Sequence, residues 1–277
     1  RPQQDRVVGK LQSTALKTHC IVQNGQYFLR DVQSGSKTFC LRRGIIGPLL
    51  ASSVDGHCLV MFETNLLHQL PFASAARSPD SVALTYGTDS LRYGDLTLQI
   101  EQFAARLAAL DLPRAARVAV YLEKCPEAVI AYFGAAAAGC VFVPINPLLK
   151  PAQVRHILLD CGAQCLVTSA QRLSLLAIEF TDNTSLEAII VTDIKASEAL
   201  PPLPLPIHAW DEMDITAPSS PHRIIDTDVA AIFYTSGSTG KPKGVVLSHR
   251  NLVAGAKSVA SYLENHAGDT LLAAVPL

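Results

Sequence analysis

The segment from Tyr234 to Leu252, YTSGSTGKPKGVVLSHRNL, concentrates the residue types that bind phosphate groups. Its first part consists of Thr235, Ser236, Gly237, Ser238, Thr239, Gly240, Lys241, Pro242 and Lys243. Glycines allow successive backbone N–H groups to point into a common concavity, and hydroxyls add further donors to it. The two lysines bring positive charge to the same short span. The segment is therefore predicted to bind the oligophosphate of a nucleotide.

A flexible linker is the alternative interpretation, because TSGSTG taken alone has the composition of one. The flanking sequence argues against it. An apolar run typical of a strand, Val229 to Tyr234, precedes the loop, and a second run, Gly244 to Leu247, follows it. A helical pattern then begins near Ser248. A loop between regular elements favours ligand binding over a linker.

Two common nucleotide-binding loops are excluded by the residue order. A P-loop of the GxxxxGK[ST] type needs a hydroxyl residue directly after its lysine, but Gly240-Lys241 is followed by Pro242. A GxGxxG sequence after a strand, the fingerprint of dinucleotide binding, is also absent from the sequence.

The segment resembles the signature loop of the AMP-forming acyl-CoA ligases. These belong to the adenylate-forming superfamily, which also includes luciferases and the adenylation domains of peptide synthetases. The resemblance implies that the loop binds the β- and γ-phosphates of ATP. The residues that match its phosphate-binding positions are Thr235, Ser236, Gly237, Ser238, Thr239 and Lys243, and Gly240 completes the predicted site.

Three upstream segments carry the same resemblance in the expected order, so that it extends from about Met61 to the C-terminus. They are LRYGDL (91–96), GCVFVPINP (139–147) and VRHILLDCGAQCLVTS (154–169). Ile145-Asn146-Pro147 resembles acyl-CoA ligases more than peptide-synthetase domains, which usually have Asp before that proline.

The resemblance implies a two-step reaction with ATP, Mg²⁺ and coenzyme A. A carboxylic acid, the small-molecule partner, attacks the α-phosphorus of ATP to give an acyl-adenylate and pyrophosphate. A thiol then displaces AMP, and a carrier protein is an alternative acceptor to coenzyme A. Two alternatives remain open: an amino-acid adenylation domain of the peptide-synthetase type, and a nucleotide-binding relative without catalytic activity.

Composition narrows the class of protein further. With a net charge of −1 and 17% of charged residues, the chain has no positive electrostatic field that would attract nucleic acid. The longest apolar stretch, Ala128 to Val143, is shorter than a membrane-spanning helix. Seven cysteines without a CxxC pair fit a reducing cytoplasm, with thiols acting as small core residues and no zinc site. For His249 a local role is expected, with Ser248 as the N-cap of the following helix and His249 anchoring its first turn.

The pattern of apolar residues predicts an α/β fold with a mostly parallel sheet covered by helices. Helices are predicted at Leu66–Ala76, Asp95–Leu110, Pro126–Ala138 and Gln153–Asp160. A short hairpin is predicted at Val82–Tyr86 and Leu91–Tyr93, and further strands at Val118–Leu122, Val141–Pro144, Cys165–Thr168 and Ala188–Val191. PPLPLP (201–206) is predicted to be a loop, with a polar continuation to Arg223.

The two ends differ from the middle of the chain. Residues 1–60 show neither a clear period nor a motif of the family, so they are predicted to be a foreign or disordered extension; a small added domain is the alternative. Residues 61–277 are expected to form a partial N-terminal, AMP-binding domain that is truncated at its C-terminus. The resemblance places a catalytic Glu, a ribose-binding Asp and a mobile domain with a catalytic Lys beyond Leu277, so that the chain by itself is expected to be an inactive fragment.

Overall fold

A computed structural model describes the strands within residues 7–62 and then residues 64–179, 185–194, 203–211, 222–235 and 242–273. The chain divides into two compact units, residues 1–64 and residues 65–277. The predicted site residues that the structure describes, Thr235 and Lys243, belong to the second unit.

The first unit contains antiparallel strands. Four of them pair in the order β1–β2–β3–β4, and β5 pairs with β6. Their bounds are β1 Val7–Gln12, β2 Lys17–Gln23, β3 Gln26–Asp31, β4 Phe39–Leu41, β5 Leu49–Val54 and β6 His57–Phe62. These strands do not decide whether residues 1–60 are foreign to the rest of the chain, which stays a prediction.

The second unit alternates helices and strands. Its helices are α1 Gln69–Arg77, α2 Tyr93–Ala109, α3 Pro126–Ala138, α4 Pro151–Asp160, α5 Ala170–Leu176 and α6 His249–Tyr262, with a 3₁₀ turn at Ala177–Glu179. Its strands are β7 Val82–Tyr86, β8 Asp89–Arg92, β9 Arg117–Tyr121, β10 Val141–Pro144, β11 Cys165–Thr168, β12 Ala188–Val191, β13 Ile207–Ala209, β14 Val229–Thr235 and β15 Lys243–Ser248.

Within the described residues, seven of these strands form one sheet in the order β13–β12–β11–β9–β10–β14–β15. Neighbouring strands from β13 to β14 run parallel, and only the last pair, β14 and β15, is antiparallel. The predicted α/β fold with a mostly parallel sheet is therefore confirmed. The predicted hairpin is also present, as the antiparallel pair of β7 and β8.

Alternate side chains of each strand pack on opposite faces of this sheet, as the period of a strand requires. On one face Val118 and Val120 contact α2 and α3; on the other Ala119 and Tyr121 contact α4 and α5. Because helices cover both faces of the sheet, the inner strands consist of continuous apolar residues. This pattern allowed them to be predicted from the sequence.

Helix α3 shows how local sequence sets the bounds of an element. Pro126 occupies its first turn, where the missing N–H costs nothing, and Gly139 ends it in the left-handed conformation with φ of 79°. Within the helix, Gly134 lies against α2, since a Cβ there would stand 2.7 Å from Cδ1 of Phe103. The predicted bounds Pro126–Ala138 are confirmed.

The structure corrects the prediction for the proline-rich segment. Ile207–Ala209 lies inside the predicted loop but forms β13, which pairs with β12. The following Trp210 stacks on Phe103, with ring centroids 4.8 Å apart, and its carbonyl accepts a hydrogen bond from Arg106. This short edge strand could not be predicted from its own sequence, because polar residues flank it and its pairing with β12 stabilises it.

Two further observations concern the cysteines and the hydropathy of the helices. Cys140 and Cys165 are buried free thiols, and burial raises the pKa of Cys140 to about 11, in agreement with the predicted role as core residues. Among the residues that the structure describes, none of the helices is both long and apolar enough to cross a membrane.

Candidate active site

The two ends of the predicted phosphate loop meet in an antiparallel hairpin formed by β14 and β15. Thr235, the last residue of β14, pairs with Lys243, the first residue of β15. Cross-strand partners have Cα atoms about 5 Å apart, so a hydroxyl and an ammonium group start from neighbouring backbone positions. Of the predicted site residues, Ser236, Gly237, Ser238, Thr239 and Gly240 lie outside the described residues. Their role in phosphate binding, like that of Thr235 and Lys243, stays a prediction.

The end of the hairpin formed by Thr235 and Lys243 lies at the edge of the sheet where many α/β proteins bind their ligands. Strand β14 is parallel to β10, with Phe142 paired to Ala231, and Thr235 lies at its carboxyl end. The strands β9, β10, β11 and β12 also end at this edge. In open α/β sheets, ligands bind outside the carboxyl ends of the strands. Both Thr235 and Lys243 are exposed to solvent there.

The next pair of residues inward, Tyr234 and Gly244, shapes the base of the hairpin. A Cβ on Gly244 would stand 2.9 Å from Cγ2 of Ile232 and 3.2 Å from Cζ of Tyr234. The glycine therefore leaves room for the tyrosine ring to lie across β15. The hydroxyl of Tyr234 donates a hydrogen bond of 2.5 Å to Oδ2 of Asp160, the last residue of α4. Sequence reasoning missed this bond, since the two residues are 74 positions apart.

The start of α6 fixes the other end of β15. Ser248 is the N-cap of α6, and its Oγ accepts a hydrogen bond from the N–H of Asn251. His249 is buried, and its Nδ1 accepts a hydrogen bond of 3.1 Å from the N–H of Leu67. The backbone N–H of His249 donates a hydrogen bond to the carbonyl of Asp228. The predicted local roles of Ser248 and His249 are thus confirmed, and His249 also links α6 to the segment before α1.

A second histidine accompanies His249 in the same buried region. His68 is 8% exposed, and its ring meets that of His249 edge-on with centroids 6.3 Å apart. Burial, and to a lesser degree the charge of His249, lower the pKa of His68 to about 4. Burial also lowers the pKa of His249, although the carboxylates of Asp228 and Asp226 act in the opposite direction. Both imidazoles are therefore neutral at pH 7.

At the carboxyl edge of the sheet, Arg172 of α5 contacts the loops that follow β9 and β10. Its guanidinium forms an ion pair with Glu123, after β9, and donates a hydrogen bond of 2.8 Å to the carbonyl of Pro147, after β10. It also lies over the ring of Tyr121, 4.6 Å from the centroid. Nearby, Lys124 donates a hydrogen bond to the carbonyl of Ala273. These contacts connect α5 to the two loops at the same edge of the sheet as Thr235. No local sequence signal points to them, because each partner lies on a different element.

The described residues offer no protein-based metal centre: none of their His, Cys, Asp and Glu side chains form a group of three that could hold an ion. The groups at the hairpin, a hydroxyl and an ammonium, are suited to phosphate oxygens rather than to a cation.

Comparison with known proteins finds a family model and several relatives that match this chain. The family model of the AMP-binding enzymes matches residues 72–277. L-proline--[L-prolyl-carrier protein] ligase of Streptomyces coelicolor is 35% identical over 59% of this chain and 31% of its own length. Long-chain-fatty-acid--CoA ligase of Bacillus subtilis is 28% identical over 74% of this chain and 42% of its own.

Solved structures give the same result for the fold. A structure of VinN with 3-methylaspartate superposes with a TM-score of 0.59 and 26% identity, over 74% of this chain and 53% of that one. The chain thus spans about a third to a half of the length of these relatives. Because the family model covers almost three quarters of its residues, the chain belongs to the family of AMP-binding enzymes.

Proposed function

We propose that the protein activates a carboxylic acid with ATP to form an acyl-adenylate and pyrophosphate, and then forms a thioester with coenzyme A. The observation that carries the proposal is the hairpin of β14 and β15, which lies within the family match and pairs Thr235 with Lys243. The segment Ile145-Asn146-Pro147, which resembles acyl-CoA ligases, supports the choice of coenzyme A.

In the first step the substrate carboxylate is itself the nucleophile, so the protein supplies positioning and charge stabilisation. We assign Lys243 to the pyrophosphate leaving group, where negative charge accumulates as the bond to the α-phosphorus breaks. The hydroxyls of Thr235, Ser236, Ser238 and Thr239, with the N–H groups of Gly237 and Gly240, would donate hydrogen bonds to the same phosphates. Mg²⁺ bound to ATP would neutralise part of this charge.

A carrier protein is the second candidate for the thiol acceptor. It is favoured by the relative from Streptomyces coelicolor, whose name states ligation to a carrier protein and whose identity of 35% exceeds the 28% of the CoA ligase. An amino acid would then be the acid that is activated. The adenylation step and the part of the hairpin in it are the same in both candidates.

The test is pyrophosphate exchange into ATP by the full-length gene product, in the presence of a panel of fatty, aromatic and amino acids. Exchange that depends on one acid is expected, followed by release of AMP when coenzyme A or a phosphopantetheinylated carrier protein is added. The added thiol that forms a thioester decides between the two acceptors. Absence of acid-dependent exchange with every member of a broad panel would contradict the proposed adenylation.

A further inference from the structure

We infer that Tyr234 and Asp160 are positioning residues for adenylation, because their hydrogen bond holds the hairpin stem that presents Thr235 and Lys243 to the phosphates. The inference rests on the proposed function of the hairpin. Neither residue is predicted to touch the substrates. Their effect would be transmitted through the backbone of β14 and β15.

Tyr234 belongs to the hairpin stem, which consists of the cross-strand pairs Tyr234–Gly244 and Thr235–Lys243. It directly precedes Thr235, and its cross-strand partner Gly244 directly follows Lys243. The ring lies close to Gly244, because a Cβ there would stand only 3.2 Å from Cζ of the tyrosine. The ring therefore adjoins both backbone positions from which the predicted phosphate-binding side chains start, and loss of its hydrogen bond is expected to loosen them.

Asp160 is a fixed point to which such a stem can be tied. It ends α4, whose residues Val154, Ile157 and Leu158 are buried against the sheet. Just after it, Arg117 of β9 donates hydrogen bonds of 2.8 Å to the carbonyl of Cys161 and 2.6 Å to that of Gly162. The backbone at Asp160 is thus anchored to the helix layer and to β9, while its side chain is exposed and reaches Tyr234.

The chemistry of the bond suits a permanent link. Burial, and then the hydrogen bond to Asp160, raise the pKa of Tyr234 well above its ordinary value, so its hydroxyl remains a donor. A bond to a charged acceptor is among the stronger hydrogen bonds in proteins. The hydrogen bond also stabilises a part of the sheet that has few buried contacts, because β15 is the edge strand of the described sheet and its residues 243–246 are exposed. Packing alone constrains this side of the hairpin weakly.

The experiment compares Tyr234→Phe, Asp160→Ala and Asp160→Asn in the full-length gene product. Tyr234→Phe and Asp160→Ala should each lower kcat for acid-dependent pyrophosphate exchange about tenfold, the effect of losing one charge-assisted hydrogen bond. KM for the acid should not change, nor should the rate of thioester formation from preformed acyl-adenylate. Asp160→Asn keeps an acceptor oxygen and should restore most of the rate.

A matched control and a double variant separate positioning from general stability. Tyr132→Phe removes a hydroxyl from a half-buried tyrosine of α3 and should leave both half-reactions unchanged. The double variant Tyr234→Phe/Asp160→Ala should be no slower than either single variant, because both remove the same bond. Equal loss in both half-reactions, or multiplied losses in the double variant, would overturn the inference.

Binding provides a readout besides turnover. Calorimetric titration of the same proteins with magnesium pyrophosphate should show affinity reduced several-fold by Tyr234→Phe and unchanged by Tyr132→Phe. If the unaltered protein exchanges pyrophosphate but Tyr234→Phe matches it in rate and affinity, the inference fails while the proposed function stands. If the unaltered protein neither exchanges nor binds pyrophosphate, the proposed function fails, and the inference fails with it.

Discussion

The inner strands of the large sheet and the hairpin at its edge are stabilised in different ways. Every residue of β11 and β12 is buried between two layers of helices. In β15, by contrast, Val245 and Val246 are 44% and 58% exposed, although their side chains point to opposite faces. The hairpin is held instead by specific links, such as the bond of Tyr234 to Asp160 and that of Leu67 to His249. Substitutions in the two regions should therefore have separable effects, on stability in the first and on chemistry in the second.

The largest effect is expected from a cavity in the inner region. Leu166 of β11 is completely buried against α4 and α5, so Leu166→Ala should lower the free energy of unfolding by about 2–5 kcal/mol. The matched substitution in the hairpin, Val246→Ala, should change it by less than about 0.5 kcal/mol. Urea denaturation followed by circular dichroism measures both. Similar losses for the two variants would show that β15 is buried in solution and that the contrast is wrong.

The next effect concerns activity rather than stability. Lys243→Ala should lower the adenylation rate about a hundredfold, or about 3 kcal/mol, since it removes a charge from the leaving pyrophosphate. Thr239→Ala should cost about 1 kcal/mol, the value of one neutral hydrogen bond. Lys243→Ala should not lower the melting temperature, because the side chain of Lys243 is exposed and its truncation removes little buried surface.

Two controls accompany this prediction. Lys257→Ala, on the exposed surface of α6, removes the same charge away from the loop and should leave the rate unchanged. Lys243→Arg should retain part of the rate, since it keeps the charge with different geometry. If Lys243→Ala slowed adenylation and thioester formation equally, or neither, the role assigned to Lys243 would be wrong.

The buried histidines predict a loss of stability in acid. The pKa of His68 is about 4 in the folded protein and near 6.5 when unfolded, so below pH 6.5 the unfolded chain binds a proton that the folded chain does not. Stability from this group is complete above pH 6.5 and falls as the pH drops towards 4, by about 1.4 kcal/mol per unit. At pH 4.5 the loss should reach roughly 2.5 kcal/mol. The groups that face His68 are the rings of Phe72 and His249, and the carboxylates of Asp226 and Asp228 lie near His249.

His68→Leu should remove this part of the pH dependence. Its free energy of unfolding relative to the unaltered protein should rise by roughly 2 to 3 kcal/mol between pH 7.5 and pH 4.5. His266→Gln is the control, because the side chain of His266 is 79% exposed. A parallel pH profile for His68→Leu and the unaltered protein would show that His68 is protonated in the folded state as easily as in the unfolded one.

The inner region was also the part of the fold that the sequence predicted best. Strands such as Cys165–Thr168 are continuous apolar runs, and α3 is bounded by Pro126 and Gly139, each of which has a local physical meaning. Where stability comes from a distant partner, the prediction failed. The strand Ile207–Ala209 pairs with β12 but follows prolines, and α5 is only 7 residues long, too short for its apolar spacing to stand out.

The candidate site was predictable as a list of residues but not as an arrangement. Residue types from Thr235 to Lys243 indicate phosphate binding, since glycines, hydroxyls and lysines have known chemistry. The antiparallel pairing of Thr235 with Lys243, the link from Tyr234 to Asp160 and the cluster around Arg172 all depend on tertiary contacts. Such contacts leave no local period in the sequence, so only the structure can reveal them.

The smallest effect is expected from removal of residues 1–60. All seven strands of the large sheet come from residues 117–248, and its two clusters of buried side chains come from residues 96–231. Deletion of residues 1–60 should therefore leave the melting temperature and the adenylation rate of the gene product unchanged. Limited proteolysis should first remove this segment and leave a resistant body that starts close to Met61. Since the strands of the first unit pair among themselves, a drop of several degrees on deletion would show instead that this unit packs against the second one as an added structural domain.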